Sequence, residues 1–299
     1  MGVVYLLASC AAFSSAVAGV LQRMGVEAAP AGDAMHLRLL TGAIKRGVWV
    51  LGFILLLVTF GLQAAALRFG DLTVVQPVLT CELLFLIAIL AVAFHRHMGW
   101  PEVCGAAAIV AGLTGFIVSA RPSTGHGIPG SAAWGLVTLT VVAGAAVLVA
   151  AARRGPRWWR ASAFGAAAGT LFAYNASLTK ATTTLITGGW GHVFTHWEPY
   201  AIGVTGFAGF FLLQNALHAG PIAASRATML IVNPVVSVVI GIFVFRERLR
   251  SGGGSVAAEV ISLAVMLTGA YVLCQSPLVA AGAEGDQGER LRRVDEVSP

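Results

Sequence analysis

One carboxylate stands where water is furthest away. Glu82 lies at the middle of residues 73–94, an apolar stretch with few other polar groups. At 1.5 Å per residue, about 22 residues cross a hydrocarbon core of roughly 30 Å. A charged group at that depth costs about 2.5–3.5 kcal/mol on insertion scales, so it is normally paired, protonated or lining a polar cavity. Two readings follow. Glu82 either faces a central cavity or is a protonated acid bonded to a neighbouring helix. In the first it can couple transport to protons, neutral when the site is empty and ionised when it exchanges with a cationic solute. Asn233-Pro234 holds the matching midpoint of 223–245. Pro234 has no N–H and crowds the Leu230 carbonyl, which predicts a kinked or opened helix there. Gln63, Asn175 and Gln214 are the other membrane-depth polar residues taken as substrate or coupling candidates. For each, an interhelical hydrogen bond is the alternative.

The remaining polar residues have quieter readings. Tyr174 and Asn215 also lie within spans, and Glu259 sits about one turn inside its helix, near enough to reach the interface. Arg226 reads as an orientation charge, and Arg246-Glu247-Arg248 as a salt-bridge cluster at the membrane rim. His192 and His196 are spaced for one helical face, but no third ligand or HExxH accompanies them, and Gly189 and Gly191 weaken a helix there. His95 and His97 are discounted likewise. Cys10, Cys81, Cys104 and Cys274 read as small buried apolar groups. No catalytic residue, metal site or cofactor is expected. No Walker motif supports ATP coupling.

These residues need a membrane scaffold to position them. The chain of 299 residues is 57% hydrophobic and 11% charged, against about 25% charged in soluble domains. Its net charge of +6 lies in short loops and forms no continuous basic stripe, so nucleic acid is not an expected partner. Apolar windows at 3–23, 48–69, 73–94, 100–119, 131–151, 161–180, 199–217, 223–245 and 255–275 predict nine transmembrane helices. Between them, 34–44 reads as a weakly amphipathic piece, and glycine-rich 181–198 as a re-entrant or interfacial turn with Trp190 and Trp197 at headgroup level. Leu7-Ala8-Ser9-Cys10 resembles a lipoprotein box, but no basic residue precedes it, so the chain is expected to be unprocessed. Residues 277–299 read as a disordered cytoplasmic tail.

Alternate crossings put thirteen of the 19 Lys and Arg on the side of the first loop. The cytoplasm is expected there, with the N-terminus outside and the C-terminus inside the cytoplasmic membrane. Short motifs recur in order: LQAAALRFG (62–70) and LQNALHAG (213–220), then Leu113-Thr114-Gly115 and Leu267-Thr268-Gly269. A repeat shifted by five helices enters the membrane from the opposite side. This predicts two inverted four-helix repeats (about 1–120 and 161–276) joined by a linking helix at 131–151, with a binding region at the midplane between them. Gly165 and Gly169, and Gly203, Gly206 and Gly209, provide small-residue faces for internal packing or for a homodimer.

The motifs LQAAALRFGDLTVVQPVL, NPVVSVVIGIFVFRERL and the Leu-Thr-Gly helix ends resemble the drug/metabolite transporter superfamily, with its EamA-type halves. The resemblance covers about residues 2–275 and implies a secondary, alternating-access transporter of a small solute or cation. Ten helices with both ends cytoplasmic are usual for that family, so this chain resembles a member lacking the first. NIPA-like magnesium transporters share the nine-helix count, but where they carry a Gly-Glu pair this chain reads Gly61-Leu62-Gln63. Magnesium or another divalent cation is therefore the alternative cargo. From other classes, a membrane-embedded enzyme on lipid-linked substrates would need an acid, base or metal cluster at one rim, and a non-transporting scaffold would need none.

Overall fold

A computed structural model describes residues 2–27, 47–93, 98–120, 130–186, 189–220, 222–247 and 253–276. Every regular element among them is helical: α1 (Gly2–Glu27), α2 (Gly47–Phe69), α3 (Leu72–Leu79), α4 (Glu82–Ala93), α5 (Trp100–Ala120), α6 (Ser131–Ala152), α7 (Arg157–Leu185), α8 (Trp190–Phe194), α9 (Glu198–Ala219), α10 (Ile222–Phe243) and α11 (Gly253–Cys274). The 34–44 piece, His95, His97 and the 277–299 tail lie outside the described residues.

Among the described residues, seven segments are long and apolar enough to cross a membrane: Gly2–Leu21, Val50–Phe69, Leu72–Val92, Trp100–Ser119, Ser131–Ala152, Ala224–Phe243 and Val256–Cys274. The chain is a multi-pass helical membrane protein. Of the nine predicted spans, 161–180 and 199–217 fall in helices but not among these seven. In the second, the residues with described side chains form the apolar run Glu198–Leu213. The first belongs to α7, whose position explains its composition. It packs against α2, α6, α9 and α10, and most of its length is buried. A helix wrapped by other helices need not match lipid, so it can carry Thr, Ser, Asn and Lys whose bonds are met inside the protein. Outer α6 is the converse, apolar along its length and largely uncovered.

The predicted turn at 181–198 is corrected at its start. Residues 181–185 continue α7, and only then come a single 3₁₀ residue (Ile186), a left-handed Gly189 (φ 94°) and short α8.

The two spans that carry Pro77 and Pro234 differ in continuity. α10 runs through Pro234 without interruption, whereas the span carrying Glu82 breaks into α3 and α4. At the break, Thr80 N–H and Cys81 N–H reach only three residues back, to the carbonyls of Pro77 (3.1 Å) and Val78 (3.0 Å). Pro77, which cannot donate, lies just before this tight turn. α10 is braced lengthwise along α7 at Gly165 and Gly169, where a Cβ on Gly169 would stand 2.7 Å from the Met229 carbonyl oxygen. This is the internal packing role expected of those glycines.

The helices pair in a regular way. α1 packs on α2, α3 and α4, while α7 packs on α9 and α10; α5 lies along α11, and α3 touches α10. The α5–α11 contact brings backbone against backbone at two points. A Cβ on Gly112 would lie 2.6 Å from the Ser262 carbonyl oxygen, and one on Gly269 2.6 Å from that of Gly105. Backbone cannot yield as a flexible side chain does. Gly269→Leu should therefore cost about 1–3 kcal/mol or more, read as a lower unfolding midpoint in detergent. Gly19→Leu, where nothing lies within 4 Å, is the control.

Candidate functional site

Three charged side chains meet at one end of the bundle. Asp71 occupies the N-cap of α3 with extended backbone, but its side chain does not cap that helix. The cap comes from the far half of the chain. Glu247 accepts hydrogen bonds from Leu72 N–H (2.8 Å) and Thr73 N–H (2.9 Å), using one oxygen for each. A carboxylate there satisfies two of the free amide donors and matches the positive end of the helix dipole. Lys180, in the last turns of α7, lies 2.5 Å from Glu247 Oε1 and 3.3 Å from Asp71 Oδ1. Its ammonium also stands 5.2 Å from the Phe245 ring centroid. Asp71, Lys180 and Glu247 are each only 3–4% exposed.

Local sequence explains the geometry. After α10 the chain reverses at Arg246, which takes a left-handed conformation (φ 51°) that a non-glycine residue rarely adopts. The reversal turns Glu247 inward while Arg246 stays exposed. Gly241 makes room, since a Cβ there would meet the Glu247 carboxylate and lie 2.8 Å from Thr73 Cγ2. Aromatic rings close the flank: Trp134 stacks edge-to-face on Tyr174, Phe245 and Trp197.

A polar seam leads inward from this triad. Thr73, Gln76 and Thr80 follow one face of α3 and are all buried. Thr73 Oγ1 and Gln76 Nε2 have no hydrogen-bond partner among the described residues. Ser177 on α7 and Ser237 on α10 are also buried. Buried polar atoms are normally paired, so two orphans on one stripe mark a place where water or a solute belongs.

The seam ends at the helix break. Glu82 is the first residue of α4, half-buried, and receives a hydrogen bond from the Ser15 side chain of α1. Arg226, exposed near the start of α10, is close enough for its charge to act on it. Glu82 thus lies between helices of the two halves.

The other sequence candidates disperse. Asn233 is half-buried, and its side-chain oxygen accepts a 3.4 Å bond from Ser237 on its own helix. Pro234 is buried beside it. Gln63 is half-buried on α2. Asn175 donates to the Ile202 carbonyl (2.7 Å) and to Thr205 Oγ1 (2.9 Å), tying α7 to α9. The side chain of Gln214 lies outside the described residues, as does that of His192. His196 faces Glu198 at 3.6 Å. Glu259 is buried, with one carboxyl oxygen unpartnered among the described residues. Among the described residues, no three His, Cys, Asp or Glu side chains converge. Asn175→Ala should cost about 0.6 kcal/mol, and at most about 1.7, in reversible unfolding.

Sequence reasoning missed the triad. It counted Lys180, at the end of a span, only among the basic residues of the outer side. It read Glu247 in a rim salt-bridge cluster with Arg246 and Arg248; Glu247 does form a salt bridge, but with a buried Lys180. A signal was present, since lysine occurs only at Lys45 and Lys180 in a chain otherwise using arginine. A compact ammonium suits a tight buried site better than a planar guanidinium.

Over 250 residues the chain is 28% identical to an uncharacterised protein of Corynebacterium glutamicum, an alignment spanning 82% of this chain and 85% of that protein. No family model matches the chain. No solved structure matches it either. Geometry and composition therefore define the molecule: a multi-pass helical membrane protein with a charged triad buried at one end and a carboxylate at a mid-span helix break.

Proposed function

We propose that the protein is a secondary, alternating-access transporter of the drug/metabolite type, moving a small solute or cation across the cytoplasmic membrane. The observation that carries this reading is the break at Thr80 and Cys81, which sets Glu82 at the head of a half-helix within a membrane span. Discontinuous spans with an ionisable residue at the gap are how secondary transporters build midplane sites. The packing supports two inverted copies: α1 meets α2 and the broken span as α7 meets α9 and α10. In this reading α7 and α9 also cross, making nine crossings with the N-terminus outside.

The triad then acts at the outer end. Its bonds from Asp71, Leu72 and Thr73 all run to residues of the second half. Arg68 adds another, donating to the Thr183 carbonyl at 3.0 Å. Opening that end means separating these partners, so the described conformation is the one closed outside. Solute reaches Glu82 from the Arg226 end, and return of the triad completes the cycle.

Purified protein in liposomes, screened with cationic and neutral solutes under an imposed pH gradient, tests the proposal. Solute flux above that of empty liposomes is expected. Absence of flux for every solute, with the protein folded and inserted, would remove the transporter reading.

A further inference from the structure

The geometry points to a binding site for anionic phospholipid headgroups on the turn between α6 and α7. Residues 153–160 read Arg-Arg-Gly-Pro-Arg-Trp-Trp-Arg, and every one of them is exposed. The turn joins the end of the Ser131–Ala152 span to the first residues of α7. It therefore lies at a membrane–water boundary.

Charge supplies the first argument. Four arginines fall within eight residues, and no Asp or Glu occurs anywhere between Glu102 and Glu198. None of the ion pairs among the described residues involves Arg153, Arg154, Arg157 or Arg160. A guanidinium grips a phosphate with two parallel hydrogen bonds, so an uncompensated group of them matches a phosphodiester headgroup.

The turn itself supplies the second argument. Gly155 takes φ 112°, and a Cβ there would stand 2.8 Å from Trp159 Cδ1, so the indole folds back over the glycine. Arg160 Nε donates to the Ala152 carbonyl at 3.2 Å and fastens the two helix ends together. Trp158 and Trp159 stack edge-to-face at 6.0 Å and stay 57% and 42% exposed. Indoles of this kind settle at headgroup depth. Orientation of the chain requires only that charge lie on one side; it requires neither a fastened turn nor two indoles beside the arginines. An anionic lipid uses all three features, its phosphate on Arg153, Arg154 and Arg157 and its glycerol region against the tryptophans.

The inference rests on the membrane character of the fold and is independent of transport. Full-length protein in nanodiscs would be examined by tryptophan quenching with brominated phosphatidylglycerol and, in parallel, brominated phosphatidylcholine. Signal from Trp158 and Trp159 is isolated by subtracting the double W158F/W159F variant. Interaction of basic residues with an anionic surface predicts a preference for phosphatidylglycerol of at least about tenfold in apparent affinity for three arginines. It should vanish in the R153Q/R154Q/R157Q variant and weaken when the wild-type nanodiscs are moved to high salt. Equal quenching by both lipids overturns the site, as does a preference surviving in the triple variant. If that variant does not fold, the salt titration of the wild type decides, and a salt-independent preference overturns the site.

Discussion

Lys180→Met is expected to destabilise the folded bundle by about 3–5 kcal/mol, the range found when one partner of a buried ion pair is removed. The substitution keeps a long apolar stem and deletes only the ammonium. Asp71 and Glu247 would then face each other with little solvent access. Glu247 keeps the N–H groups of Leu72 and Thr73, but one negative charge of the cluster is no longer offset. The double variant K180M/D71N should consequently regain much of the loss, because the surplus charge has gone. Unfolding midpoints in detergent, measured for both single variants and the pair, give the coupling energy directly. A Lys180→Met protein as stable as wild type would show that the triad does not hold α3, α7 and α10 together.

The second large effect concerns transport. Glu82→Gln should reduce proton-driven flux in liposomes to the level of empty vesicles, with little change in the unfolding midpoint. Glutamine preserves the shape of the side chain and can still accept a hydrogen bond from Ser15, so packing at the head of α4 is retained. It cannot take up or release a proton. Loss of flux without loss of fold therefore isolates the charge from the structural role. Wild-type flux in Glu82→Gln would remove this residue from the mechanism. The two experiments separate cleanly, since one reads stability and the other reads coupling.

Both effects trace to where the chain places polarity inside an apolar bundle, and that placement was only partly legible beforehand. Membrane class and most spans follow from composition and window length, because lipid imposes a local requirement on each lipid-facing stretch. Glu82 was legible for the same reason: a carboxylate in an apolar window is conspicuous without any partner being known. The Gly165 and Gly169 face of α7 was legible too, since small residues at one-turn spacing permit close approach whatever helix supplies the other side. Pro77 and Pro234 were a different matter. Each lies within a helix, yet only the span of Pro77 breaks, and sequence gave no way to see that α7 braces α10.

The triad belongs to the tertiary structure alone. Lys180 lies 109 residues from Asp71 and 67 from Glu247. Their meeting depends on α7 being surrounded by other helices, and no local window reports that. Read in isolation, a lysine at the end of a span snorkels to the interface. Enclosed by α3, α6 and α10, the same lysine has nowhere to snorkel and takes two carboxylates as its solvent. Composition thus decides that the chain enters a membrane, because each stretch of surface meets lipid by itself. Which charges remain inside is decided by helix packing, because solvation in the interior is supplied by residues distant in sequence.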